Sequence, residues 1–435
     1  MSATRSYRRL HIGIITYELL PQTGTSARTL GFVRALTAKG HRVTLFGPTD
    51  DPAESALVRS LGADYFGVGG FRLTPGAARS FVYGVNIVRH LKEVDRRNKL
   101  DAIHVVEYTM NLLLYPIIKR VLGVPVVSDL HAQASAREIE PGLRRSLSRW
   151  VVYLTYEKLA IRFSDGILAP THELLEYFIG RHGRRVFAVP NCAPDRQSEI
   201  GRSSSLGHEE KAGIRTEESR ENIIFFHANF NLERAVREVL RLTDIVRELR
   251  ARGFRIRLWV AGPASQKLRC QRDDSILILG YVKNPLDCLA SSDLVILPLK
   301  DLTLGLHSRL VEAMTVGKPI IASQEACCGL LQYLPESGIM MSRTEGQMIN
   351  AACSLLRDPN RMQALGRRNK RLAERLFSVA KVGQELEHAY LSVLLDTKQR
   401  QLIPTSNESK LPSCALGRDE AELASARTIT ENSPG

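Results

Sequence analysis

No cysteine occurs before Cys192, and none of the seven stands in a C-x-x-C arrangement. An odd number that includes the adjacent pair Cys327 and Cys328 reads as reduced thiols, and excludes both a disulfide framework and a zinc site. No apolar run approaches the ~18 residues needed to cross a bilayer, the longest candidate being the region Met110 to Ile118. The start, MSATRSYRRLHIGIITY, puts basic residues before an apolar run, but that run is short and has no small-residue cleavage site. It reads as a first strand, so the expectation is a chain that is not exported and works in the cytoplasm. There is no sequence repeat, no nucleic-acid module and no basic stripe interleaved with aromatics, so nucleic acid is not an expected partner. What the sequence has in excess is positive charge. A net charge of +14 implies a partner of opposite sign, either a nucleotide diphosphate or an anionic membrane face.

At 435 residues the chain can bury two cores of about 200 residues each. His11 to Tyr17 reads as a buried strand, the loop containing Gly24 leads into a helical pattern that ends at Gly40, and HRVTLF resumes as a strand. Strand, glycine loop, helix and strand form a parallel unit of the dinucleotide-binding kind. Two further strands, DAIHVVE and VPVVSDL, follow, and the second runs straight into His131. An apolar strand that delivers a histidine at its C-terminal end places an imidazole in the crevice where such sheets bind ligands, although a structural histidine fits the same pattern. From Pro141 to Ser164 an amphipathic basic segment, with Trp150 and several arginines, suits either an anionic membrane surface or a core-packing helix with solvated charges. Gly201 to Asn222 is polar and aperiodic, and reads as a linker.

The second half begins with the strand IIFFHA and continues through Arg234, LWVAGP with Gly262, ILILGYV and DLVILP. It arrives at LGLHSRLVEAMTVGKPII, which runs from Leu304 to Ile321 as a loop at Gly305, a short helix and a buried strand. The mouth of such a helix offers free N–H groups and the positive end of its dipole to a phosphate. Arg309 and Glu312 lie three apart and share a helix face, read as a guanidinium for phosphate oxygens beside a carboxylate for ribose hydroxyls. The alternative is that Glu312 caps or pairs inside an ordinary surface helix.

The order VEAMTVGKPIIAS resembles the nucleotide-sugar signature of glycosyltransferase family 4, the group 1 retaining enzymes. The resemblance continues in GHRVTLF, in His131 after its strand, in VPN before Cys192, and in ordered matches from Ile223 through Ser323. It implies an α/β fold of two Rossmann-like domains facing across a cleft (GT-B), with a C-terminal helix crossing back to the first domain. The expected division is 1–199 for the acceptor-side domain, 200–221 for the linker, 222–380 for the nucleotide-sugar domain, 381–396 for the crossover helix and 397–435 for a disordered tail. The resemblance also implies a hexosyltransferase that retains configuration, with no cofactor, no essential metal and a nucleotide-diphosphate sugar as donor substrate. His131 and Glu312 are the candidate catalytic residues. Gly24, Arg234, Gly262, Gly305, His307, Ser308, Arg309 and Glu312 are the candidate donor-binding residues.

The chain departs from the family pattern in several places, among them Thr23 for the first glycine of the opening pair, Cys192 for the glycine after VPN and Ala228 for the glycine before the diphosphate clamp. Leu304 stands where the family usually has a second glutamate, His307 where it has a glycine, and Asn229 where it has an arginine of the diphosphate clamp. Arg234 replaces the clamp lysine and keeps its charge, and Arg309 is a candidate to compensate for Asn229. The expected acceptor is a glycan, lipid-linked or of the cell envelope, in polysaccharide biosynthesis, with the basic surface in peripheral contact with an anionic membrane. The departures keep open a binding or partner subunit that has lost catalysis, and the architecture also serves epimerases and phosphorylases.

Overall fold

The apolar runs become the strands of parallel sheets, and the polar stretches between them become helices and loops. The computed structural model describes residues 8–17, 19, 24–68, 76–106, 114–131, 155, 157–182, 185–194, 221–268, 273–282, 284–300 and 304–402. Thr23, the basic stretch 141–154, linker residues 200–220 and the tail beyond 402 lie outside the described residues.

The first lobe is one sheet of seven strands: β1 (His11–Ile15), β2 (Arg42–Gly47), β3 (Asp64–Gly67), β4 (Ala102–Val106), β5 (Val126–Asp129), β6 (Gly166–Ala169) and β7 (Val186–Ala188). Their order is β3-β2-β1-β4-β5-β6-β7, and every pairing is parallel. A parallel sheet is covered on both faces, so its strands read as continuous apolar runs; all five residues of β1 are buried, as are all five of β4. The order reverses between β1 and β4, and the crevice at the carboxyl ends of those strands is where such sheets hold ligands.

The second lobe repeats the plan with β8 (Asn222–His227), β9 (Ile256–Ala261), β10 (Ile276–Gly280), β11 (Val295–Leu297), β12 (Ile320–Ser323) and β13 (Ile339–Ser342). Two three-stranded sheets, β10-β9-β8 and β11-β12-β13, meet at a parallel bridge between Ile224 and Leu294. Read across that bridge, the order is that of the first lobe with the reversal between β8 and β11. The Ser308–Val316 helix starts beyond β11 and stops at Gly317, whose φ of 79° is the left-handed conformation that ends a helix at little cost when no Cβ is present.

The last helix, Val379–Leu402, returns to the first lobe. Its stripe of Val382, Leu386, Ala389, Tyr390 and Val393 is buried in the same core as Phe32, Leu36 and Val43. Gly383 lies where a Cβ would sit 2.9 Å from the Ala35 carbonyl oxygen, and Glu387 holds Lys39 at 3.0 Å and His41 at 3.3 Å. Each large apolar side chain of that stripe contributes about 1.5–3 kcal/mol of burial. Residues up to Thr397 pack as one compact unit.

Candidate active site

At the end of β5 the chain runs Asp129, Leu130, His131. Asp129 is fully buried, and both its oxygens accept from Arg28, at 2.9 Å from Nε and 2.8 Å from Nη2. Arg28 is itself buried, lies over the Phe32 ring and donates from Nη1 to the Asn191 side-chain oxygen at 2.8 Å. Burial alone would raise the Asp129 pKa; Arg28 and the histidines beside it outweigh that and hold the carboxyl well below the usual carboxylate range. His131 Nε2 donates to Asp129 Oδ2 at 2.7 Å. On the other side the fully buried His104 has Nε2 at 3.7 Å from Asp129 Oδ2 and Nδ1 at 2.6 Å from the Tyr390 hydroxyl. That 3.7 Å is too long for a hydrogen bond, and Nε2 has no hydrogen-bond partner among the described residues; the charge of the nearby carboxylate favours an N–H on that edge, and with it Nδ1 accepts from Tyr390. Burial, ahead of the neighbouring charges, pushes the His104 pKa down and keeps the ring neutral.

In the second lobe, β8 ends on His227, whose ring stacks on Phe225. Its Nε2 donates to Glu312 Oε2 at 2.6 Å. Burial would raise the Glu312 pKa, but His227 and then Arg309 overcome it and lower it. His307 is the N-cap of the Ser308–Val316 helix and makes no side-chain capping bond. Burial first, then Arg309 and Arg234, push its pKa down to about 3, so the imidazole is neutral across the physiological range. Arg309 Nη2 donates to Glu238 Oε2, and its guanidinium lies 4.6 Å from the Phe226 ring centroid. The expectation for Arg309 was a guanidinium facing phosphate oxygens. One edge is instead committed to Glu238, and Nη1 is buried with no hydrogen-bond partner among the described residues.

The two strand ends meet through the loop before the helix. A Cβ at Gly305 would lie 2.6 Å from the His131 carbonyl oxygen, so only glycine lets the second lobe approach this closely. On either side of it, the Leu304 carbonyl accepts from Thr171 Oγ1 at 2.6 Å and the Leu306 carbonyl from Asn191 Nδ2 at 3.4 Å. Leu304, where the resemblance would put a glutamate, packs against the apolar core of the first lobe.

The structure therefore gathers His131 and Gly305 at one point, and puts Arg309 within electrostatic reach of both His307 and Glu312, and Arg234 within reach of His307. Arg234 is exposed on the first turn of the Glu233–Ala251 helix. Ser308 opens the signature helix, partly buried. Gly262, with φ 133°, brings the end of β9 against β8, since a Cβ there would meet the Ala228 carbonyl oxygen at 2.0 Å. Gly24 starts the helix that carries Arg28 one turn later, with open space where its Cβ would be. Sequence reasoning missed Arg28, Asp129, His104, His227, Glu238 and Tyr390. His227 ends an apolar strand just as His131 does, so the same signal was present for it.

Two Rossmann-like lobes of this strand order, tied by a returning helix, give the chain the GT-B fold. The chain belongs to the group 1 glycosyltransferases: a "Glycosyl transferase 4-like domain" matches residues 23–192 and "Glycosyl transferases group 1" matches residues 221–358. It is 23% identical over 410 residues to N-acetyl-alpha-D-glucosaminyl L-malate synthase of Bacillus anthracis, covering 91% of this chain and 100% of that one. In structure it resembles sucrose-phosphate synthase from Thermosynechococcus elongatus, with a TM-score of 0.68, 15% identity, and coverage of 89% of this chain and 100% of that one. It also resembles Anabaena HepE in complex with UDP and glucose, with a TM-score of 0.64, 15% identity, and coverage of 88% and 100%.

Proposed function

We propose that this glycosyltransferase uses a nucleotide-diphosphate sugar as donor and transfers the sugar, with retention of configuration, to a glycan acceptor that is lipid-linked or part of the cell envelope. The observation that carries the reading is the approach of Gly305 to His131, which sets the mouth of the Ser308–Val316 helix beneath the end of β5. The diphosphate lies at the helix mouth, met by the first-turn N–H groups and Arg234, with the Arg309 guanidinium adding positive charge behind them. Glu312, fixed by His227, receives ribose hydroxyls. The sugar reaches across to His131.

Transfer breaks the bond between the anomeric carbon and the diphosphate oxygen. The acceptor hydroxyl oxygen bonds to that carbon from the same face, and its proton leaves with the departing diphosphate. Positive charge grows on the sugar and negative charge on the diphosphate, so cations and amides aimed at the phosphates stabilise the transition state more than the ground state. Closure of the lobes around the donor limits its hydrolysis. The complex of HepE with UDP and glucose supports this reading of donor class. Among the described residues no helix is long and apolar enough to cross a membrane. Contact with a lipid-borne acceptor then falls to the basic surface of the chain, whose net charge is +14.

The test is a calorimetric panel of UDP, GDP, ADP and their sugar conjugates, followed by NMR of the anomeric configuration of any product. One nucleotide should bind in the micromolar range, and its binding should be lost in Glu312→Ala. If no nucleotide binds, the enzyme reading falls to a partner subunit; an inverted product would remove retention alone.

A further inference from the structure

The buried cluster beneath His131 joins elements from the whole length of the chain. Arg28 comes from the first helix, His104 from β4, Asp129 from β5, Asn191 from the loop after β7, and Tyr390 from the returning helix. It is organised by one charge balance. Asp129 is the acceptor at the centre, Arg28 neutralises it through two parallel hydrogen bonds, and His104 is kept neutral with an N–H edge turned toward it. A fully buried carboxylate with Arg28 and His131 donating to it costs desolvation that a pair of apolar residues would not. A core-packing role alone does not call for it.

We infer that Asp129 is a positioning residue for His131, fixing the ring in its Nε2–H tautomer so that Nδ1 is the proton-accepting edge, and that Tyr390 ties this setting to the docking of the returning helix. The geometry is sufficient for the first part. A carboxylate that accepts at 2.7 Å from Nε2 requires the proton there, and in the neutral ring the other nitrogen is then an acceptor. The second part follows from the chain of contacts. With the Asp129 carboxylate favouring an N–H at His104 Nε2, Nδ1 accepts from the Tyr390 hydroxyl at 2.6 Å, and the N–H edge lies 3.7 Å from the oxygen that His131 uses, beyond hydrogen-bond distance. Loss of the Tyr390 hydroxyl frees His104 to flip its tautomer, and a bare Nε2 lone pair would then face the Asp129 carboxylate. Among the described residues, the charged and titratable groups near His131 include Asp129 from its own strand end, with Arg28 and His104 behind it from two elements packed alongside. The inference rests on the proposed donor reading only for its catalytic consequence. The tautomer itself can be observed without any donor.

The experiment is a long-range proton–nitrogen correlation spectrum of the full chain, labelled at histidine, on the wild type, Asp129→Asn and Tyr390→Phe. In the wild type the neutral His131 ring should sit in the Nε2–H form. Asp129→Asn should leave a mixture of tautomers and lower kcat by about 10²-fold with the donor KM changed much less, as expected when a group is misplaced and the site is otherwise intact. Tyr390→Phe keeps the ring and its packing, so it tests the idea even if Asp129→Asn does not fold; it should broaden the His131 tautomer signal and shift the pH profile of kcat. A wild-type His131 in the Nδ1–H form, or a Tyr390→Phe protein with an unaltered tautomer and pH profile, overturns the inference. A fixed Nε2–H tautomer in a protein that binds no nucleotide would uphold the positioning role while removing the donor reading.

Discussion

Gly305 and the His131 carbonyl stand so close that a single added methyl group would lie 2.6 Å from the oxygen, inside van der Waals contact with backbone that belongs to the other lobe. Gly305→Ala must therefore move the loop or part the lobes, and the strain is concentrated where the donor is proposed to bind. The expected result is a loss of roughly tenfold in kcat/KM, or about 1.4 kcal/mol of transition-state binding. Steady-state kinetics check this. Wild-type kinetics in this variant would mean that the approach has no bearing on the site.

The Arg28–Asp129 pair makes a prediction about acid. The carboxyl has a folded pKa below its unfolded value of about 3.9, so its contribution to stability is complete above that pH and is lost as pH falls through the folded pKa. Arg28→Ala leaves the buried carboxylate uncompensated and should cost about 3–5 kcal/mol at neutral pH, with the gap from the wild type narrowing below about pH 4. Urea unfolding at a series of pH values measures it. A gap that stays constant into acid would show that the pair is not the source.

His307 acts in the same direction as Asp129, but over a higher pH range. Its folded pKa of about 3 lies below the ordinary value of 6.5, so between those values the unfolded chain binds a proton that the folded chain does not. The wild type therefore loses stability from this residue as pH falls below about 6.5. His307→Gln should flatten that part of the profile and leave stability at pH 8 nearly unchanged. Thermal unfolding from pH 8 to pH 4.5 is the measurement, and a parallel pair of curves would refute the assignment.

Leu304 packs into the first lobe's apolar core while its carbonyl is held by Thr171. Leu304→Glu, which restores the residue type common in the family pattern, should destabilise the protein by about 1–3 kcal/mol, because the carboxylate replaces apolar packing without a partner. Denaturant unfolding tests it. Unchanged stability together with tighter donor binding would instead place position 304 against the sugar.

Most of the strands were legible because parallel sheets buried on both faces require continuous apolar runs, and IIFFHA, LWVAGP and DLVILP are such runs. His131 was legible because it closes one. The partners that give these residues their chemistry were not. Asp129 is hidden inside VPVVSDL, where a lone carboxylate reads as a strand ending. Tyr390 meets His104 across 286 positions of sequence, a pairing that depends on where the last helix docks and on no local pattern. Arg309 was read correctly as lying on one face with Glu312, yet its commitment to Glu238 depends on the spacing of two helices that sequence periodicity does not report. Thr23, the linker and the tail fall outside the described residues.

The return of the final helix has a consequence for how the protein is made. Val382, Leu386, Ala389, Tyr390 and Val393 are the last pieces of the core that begins with Leu10 and Ile12. A ribosome that has finished the entire amino-terminal lobe has still not synthesised the residues that cover it. That lobe waits, with an apolar face open, until some two hundred further residues have emerged, so nascent-chain chaperones or fast folding of the second lobe must bridge the interval.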